Sequence, residues 1–231
     1  MVEASGLLAE ARSARQLSMN TLADVSGVPA STISRIESGK IKPTWAMVSR
    51  ILAAAGFQLQ PTLKDAGTDE PFAGIIRRLE DALPDERAKI VGRFPAVAQL
   101  ALVARREGTR RIQLDTSLSE VVANLTAQGQ APVVSSLEAY VDDISQTRSF
   151  SPVLYVDDPA RADGFAPVTR TSPRVMFLLP TTDNVRAVVR DVDGVAMVSP
   201  EWALLDSLAS PGRQPDATMY LLDDLIMEPT R

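Results

Sequence analysis

Glycines placed at helix ends constrain this chain more than any other feature, and they fall within residues 18–56. Leu7, Leu8, Ala11 and Ala14 recur at helical spacing and predict a first amphipathic helix over about residues 3–15. Ser18 is an N-cap residue for a short second helix with Met19, Leu22 and Ala23 turned inward. Gly27 stands where a helix C-terminus takes a left-handed residue, and Val28 anchors the turn. Pro29 begins a third helix that buries Ile33 and Ile36 and ends at Ser38-Gly39-Lys40. Thr44 caps a fourth helix whose apolar stripe is Trp45, Val48, Ile51 and Leu52, closed by Gly56. Short helices joined by a three- to four-residue turn form a narrow class of all-α architectures.

Composition removes much of the chemistry open to a chain of 231 residues. There is no cysteine and no histidine. That excludes disulfides, the usual zinc sites, cysteine or histidine dyads and any Ser-His-Asp triad. Lysine occurs only at positions 40, 42, 64 and 89. A Ser-Lys self-cleaving domain needs a lysine among its strands, and Lys89 precedes all of them. No apolar run approaches the roughly 20 residues that span a bilayer, and the N-terminus has no signal-peptide pattern. The expected location is cytoplasmic, with no membrane partner.

The formal charge of −5 is unevenly spread. Residues 1–63 hold six Lys/Arg (Arg12, Arg15, Arg35, Lys40, Lys42, Arg50) against four acids (Glu3, Glu10, Asp24, Glu37), a net of +2. The rest holds 18 against 25, a net of −7. The first part can approach phosphate and the second as a whole is repelled by it.

The ordered set Leu22-Ala23, Gly27-Val28, Ile33-Ser34, Glu37, Gly39 and Pro43 resembles the Cro/phage-repressor, or XRE-type, helix-turn-helix family over about residues 5–57. The resemblance implies a DNA-binding domain whose third helix enters the major groove of double-stranded DNA. Its outward side carries Ser31, Thr32, Ser34 and Arg35 as base-contacting candidates, Arg35 suited to bidentate contact with guanine. Ser18, Asn20, Lys40 and Lys42 are the phosphate-contacting candidates. Glu37 is read as bracing the turn around Gly39. The family commonly has glutamine where Met19 stands and a longer polar residue where Ala30 stands. Both departures weaken a lone copy, so a homodimer on a palindromic operator is expected.

Domain boundaries are read as 1–60 for this head, 61–70 (PTLKDAGTDE) for a linker and 71–231 for an α+β domain with a mostly antiparallel sheet. Phe72, Ile75, Ile76, Leu79 and Leu83 mark a helix before Pro84, and a second, kinked or split at Pro95, runs from about Asp85 to Glu107. Ser117 and Glu120 form a capping box. Strands are expected at 153–156, 174–179, 185–190 and 195–199, the last two as a hairpin around Asp191-Val192-Asp193-Gly194. Helices follow from Ser199 and over about 215–227. Arg105, Arg106, Arg110 and Arg111 read as a basic knot around a helix end, with a second nucleic-acid contact as the alternative.

The stretches VVSSLEAYVDD, SPVLYVDDP and VAMVSPEWALLDSL are similar in pattern to the C-terminal region of AbiEi-type antitoxins. That resemblance implies a cognate toxin partner and a protein that represses its own toxin–antitoxin operon. Two readings stay open beside it: a prophage or metabolic regulator with a ligand-sensing or dimerisation domain, and a magnesium-dependent nucleotidyltransferase built on Asp191 and Asp193. The leading expectation is a repressor, not an enzyme, that uses no metal or other cofactor.

Overall fold

Side-chain caps and glycine stops set several of the helix boundaries. A computed structural model describes residues 4–60, 67–145, 148–166, 168–169 and 174–227. The chain divides into two units, Met1–Asp65 and Ala66–Arg231. Linker residues 61–66 lie outside the described residues, as do the first residues of the expected first helix.

The first unit has four helices, α1 (Ala4–Ala14), α2 (Met19–Ser26), α3 (Ala30–Glu37) and α4 (Trp45–Ala54). Ser18 Oγ accepts the Thr21 N–H at 3.0 Å, and Thr44 Oγ1 accepts the Met47 N–H at 3.3 Å. Each satisfies an amide that a helix start leaves without a partner. Leu8, Leu22, Val28, Ile33, Ile36, Ile51 and Leu52 form one buried cluster. Trp45 departs from its expected place in the stripe, being 60% exposed. It is the first residue of α4, so its ring projects beyond the turn at which Val48 begins to pack.

In the second unit α5 (Glu70–Glu80) starts inside the expected linker. Asp69 accepts from Thr182 Oγ1, and Glu70 accepts from Asn184 Nδ2 at 3.1 Å and pairs with Arg77 at 2.7 Å. The helix expected over 85–107 is split near Pro95, as one of the two expected outcomes, into α6 (Pro84–Val91), α7 (Phe94–Ala98) and two short 3-10 turns, with Gly92 interrupting it as well. After these come β1 (Arg110–Gln113), α8 (Leu118–Ala127), β2 (Val133–Val134) and α9 (Ser136–Tyr140). Ser117 and Glu120 exchange both capping-box bonds at the start of α8.

Then come β3 (Val153–Val156), β4 (Val175–Pro180), α10 (Asp183–Arg186), β5 (Val189–Val192), β6 (Val195–Val198), α11 (Pro200–Ala209), α12 (Gln214–Met219) and α13 (Leu222–Met227). The expected 185–190 strand is therefore half helix. Thr182 Oγ1 accepts the Val185 N–H at 3.2 Å and captures its first residues into α10. The last expected helix is likewise two, α12 and α13.

The six strands form one mixed sheet in the order β1-β4-β3-β2-β6-β5. Three pairings are antiparallel and two, β3 with β4 and β2 with β6, are parallel. β3 is buried at all four positions and β4 at its inner four, as expected for strands covered on both faces. At the β5–β6 hairpin Asp193 and Gly194 both have positive φ, the geometry of a two-residue type I′ turn. α11 is buried along nearly its whole length and packs against α5, α7, α9 and α12.

Candidate nucleic-acid interface

The face that would meet DNA is built around α3. Gly27 takes φ +66° with its N–H on the Ala23 carbonyl at 2.9 Å, a left-handed stop that frees the chain to turn into Pro29. The Pro29 carbonyl accepts the Thr32 and Ile33 amides at 2.9 and 3.1 Å and starts α3. Ile33 and Ile36 are buried, which turns Ser31, Ser34 and Arg35 to the outside, while Thr32 is half-buried.

The far end of α3 is held more firmly. The Gly39 N–H reaches the Ile36 carbonyl at 2.9 Å and the Lys40 N–H reaches the Arg35 carbonyl at 2.8 Å, the paired bonds of a Schellman stop. The Ile41 N–H at 3.3 Å and Ser38 Oγ at 3.2 Å also donate to that Arg35 carbonyl. Three donors on one carbonyl fix the backbone of Arg35 and set exposed Lys40 and Lys42 just beyond it. Among the described residues, the Arg35 side chain has no ion-pair partner.

Glu37 has another role than bracing the Gly39 turn. Arg12 Nε and Nη2 donate to its two carboxylate oxygens at 2.9 and 3.0 Å, a bidentate bond from the last turn of α1 to the last turn of α3. Arg12 Nη1 also donates to the Leu17 carbonyl at 3.3 Å. The Glu37 bond, with the attraction of its charge, raises the Arg12 pKa despite partial desolvation. The strap orients α3, and no periodicity in the sequence marks it, since the partners are 25 residues apart.

Ser18 and Asn20 are exposed at the start of α2. The Ser18 hydroxyl is engaged as a cap and also lies 2.7 Å from Thr21 Oγ1. Arg15 stacks over Phe57 at 4.9 Å and so belongs to the packing of the head.

Of the basic knot of the second unit, Arg105 and Arg106 do close a helical turn, the 3-10 turn Val103–Arg105. Arg110 and Arg111 lie on β1, where Arg110 Nη1 donates to the Pro159 and Ala162 carbonyls at 3.0 and 2.5 Å. Arg106 is buried, its side chain 4% exposed against 0% for Asp206, with Nη2 2.7 Å from Asp206 Oδ1. Its Nη1 donates to Tyr155 Oη at 2.7 Å and its Nε to the Ala101 carbonyl at 2.9 Å. Tyr155 Oη donates to Asp206 Oδ2 at 2.8 Å and accepts from Trp202 Nε1 at 3.0 Å, and Ser135 Oγ donates to Asp206 Oδ2 at 2.5 Å. The guanidinium sits 4.6 Å over the Phe72 ring, which meets Trp202 edge-on at 5.6 Å. Burial opposes the Arg106 charge, but Tyr155 and Asp206 outweigh it and raise its pKa. Burial pushes the Tyr155 phenol well above its ordinary value.

Six aspartates of the second unit that stand close to another acid in sequence, Asp142, Asp143, Asp157, Asp158, Asp191 and Asp224, have structural partners. Asp142 pairs with Arg190 at 2.5 Å and Asp143 with Arg148 at 3.2 Å. Asp157 accepts from the Ala131 amide, Asp158 caps a 3-10 turn, Asp191 accepts from the Gly194 amide and Asp224 from Tyr140 Oη. Among the described residues no three acidic groups converge as a metal site would require. No described helix is long and apolar enough to cross a membrane.

Residues 3–65 match the family model of a helix-turn-helix domain. The first unit therefore carries a helix-turn-helix domain, which supports a DNA-binding transcription regulator. No curated protein and no solved structure matches the chain.

Proposed function

We propose that the protein is a sequence-specific transcriptional repressor that binds a palindromic operator as a homodimer and catalyses no reaction. In this reading α3 enters the major groove. Arg35 bonds guanine in bidentate fashion, and Ser31, Thr32 and Ser34 add short contacts to neighbouring base edges. Ser18, Asn20, Lys40 and Lys42 meet phosphates and supply affinity that is blind to sequence and weakened by salt. The observation that carries the reading is the exposed Arg35 side chain, unpaired among the described residues, on a backbone locked by three donors to its carbonyl.

Footprinting on the DNA upstream of the protein's own gene tests it. Arg35→Ala loses about 1–3 kcal/mol of discrimination at one base pair per half-site. Lys40→Ala weakens all sequences alike and lowers the salt slope by about 1. Parent-like binding by both variants overturns the assignment of α3.

The antitoxin role is the finer proposal, supported by the sequence pattern of the second unit. It predicts that the neighbouring gene is toxic when expressed alone and harmless when this chain is co-expressed. A neighbour that is harmless alone removes that role and leaves the repressor reading standing.

A further inference from the structure

A crevice of about 600 Å³ opens in the second unit, within the size range of small-molecule sites. Its aliphatic lining includes Val122 of α8, Val133 of β2 and Val195 of the β5–β6 hairpin. Asp157, Thr181 and Arg186 interrupt that lining. Strand register places the first two side by side. Val156 pairs with Pro180 in the parallel β3–β4 pair, and the Thr181 N–H donates to the Val156 carbonyl at 2.8 Å. Asp157 and Thr181 are thus the first residues past the carboxyl ends of two adjacent parallel strands.

The polar groups there are under-used. Asp157 accepts the Ala131 amide through Oδ2 at 3.0 Å, and among the described residues its Oδ1 has no partner. Among the described residues, buried Thr181 Oγ1 has no hydrogen-bond partner. Among the described residues Arg186 pairs only with Asp183, in a solvent-exposed i,i+3 contact at 3.0 Å that a ligand carboxylate can replace. One cation and one carboxylate therefore share an aliphatic crevice. Their charges balance, so an acid alone or an amine alone meets one repelling group, and a zwitterion meets none.

We propose that this crevice binds an apolar α-amino acid. Its carboxylate pairs with Arg186, its ammonium with Asp157, and its side chain lies on Val122, Val133 and Val195. The proposal does not rest on the DNA-binding reading, because the binding is measured on the full chain without DNA.

Calorimetric titration with L-leucine, 4-methylpentanoate (no amine) and 3-methylbutylamine (no carboxylate) tests it. Leucine binds, and each analogue, short of one charge-assisted contact, binds at least about tenfold more weakly. Arg186→Gln and Asp157→Asn each weaken leucine by a similar factor. Asparagine keeps an oxygen for the Ala131 amide, and circular dichroism without ligand confirms that both variants retain the parental fold. No binding of leucine at about 10 mM, a regime weaker than any specific site requires, overturns the proposal. So does leucine binding that survives Arg186→Gln, or 4-methylpentanoate binding as tightly as leucine.

Discussion

Replacing Arg106 by leucine tests whether its buried ion pair holds the second unit together. The change removes the partner of Asp206, whose carboxylate is fully buried and, among the described residues, keeps only the Ser135 and Tyr155 hydroxyls as donors. It also strips the donor from the Ala101 carbonyl and the cation from the face of Phe72. Breaking a buried pair from one side costs about 3–5 kcal/mol, because an uncompensated charge is left inside. At about 2–4 °C per kcal/mol for a unit of this size, melting falls by roughly 6–20 °C. Trp202 fluorescence in a Trp45→Phe background reports the second unit alone, since Trp45 is exposed in the first and can be spared. The double change Arg106→Leu with Asp206→Leu removes both charges and recovers a large part of the loss, so the two single effects do not add. A fall under about 1 kcal/mol for Arg106→Leu, below the range for a broken buried pair, would refute the reasoning. Strict additivity of the two changes refutes it equally.

Arg12→Ala breaks the bidentate bond to Glu37, costs the first unit about 1.5–3 kcal/mol, and weakens operator binding although Arg12 is not assigned a base contact. Urea unfolding and gel-shift titration measure the two effects. Ser117→Ala removes one half of the α8 capping box and costs about 1 kcal/mol in the same unfolding assay. Tyr155 gives an alkaline limb. Its folded pKa lies above the unfolded value near 10, so the folded state keeps a proton the unfolded chain loses. The associated stability is complete below about pH 10 and falls by up to about 1.4 kcal/mol per pH unit above it. Comparing the pH slopes of the parent and Tyr155→Phe between about pH 9.5 and 11.5 isolates that limb.

The head was legible because its information is local. Ser18, Gly27, Gly39, Thr44 and Gly56 each act within a few residues of where they stand. Trp45 misled because periodicity says which side of a helix a residue faces but not whether a neighbour reaches that far along it. β1 (RRIQ) and β2, two residues long, carry too little alternation to register as strands. Thr182 turned half of an apparent strand into a helix by supplying a cap. The burial of Arg106 depends on Asp206, a hundred positions away, and nothing around RREG signals it. The one visible cue was Asp206 itself, an acid inside the apolar run WALLDSLA. Of the proposed DNA face, the exposed residue types were readable, whereas the Arg12–Glu37 strap and the triple lock on the Arg35 carbonyl needed coordinates.

That lock has a consequence for how such a reader changes over time. The bonds that stop α3 at the Arg35 carbonyl come from backbone amides of Lys40 and Ile41 and from Ser38, with Gly39 supplying the left-handed bend. None of them uses the side chains of Ser31, Ser34 or Arg35. If the proposed DNA-binding role holds, those three positions can therefore mutate toward a new operator without disturbing the stop that positions them, and changes in recognition are uncoupled from changes in folding.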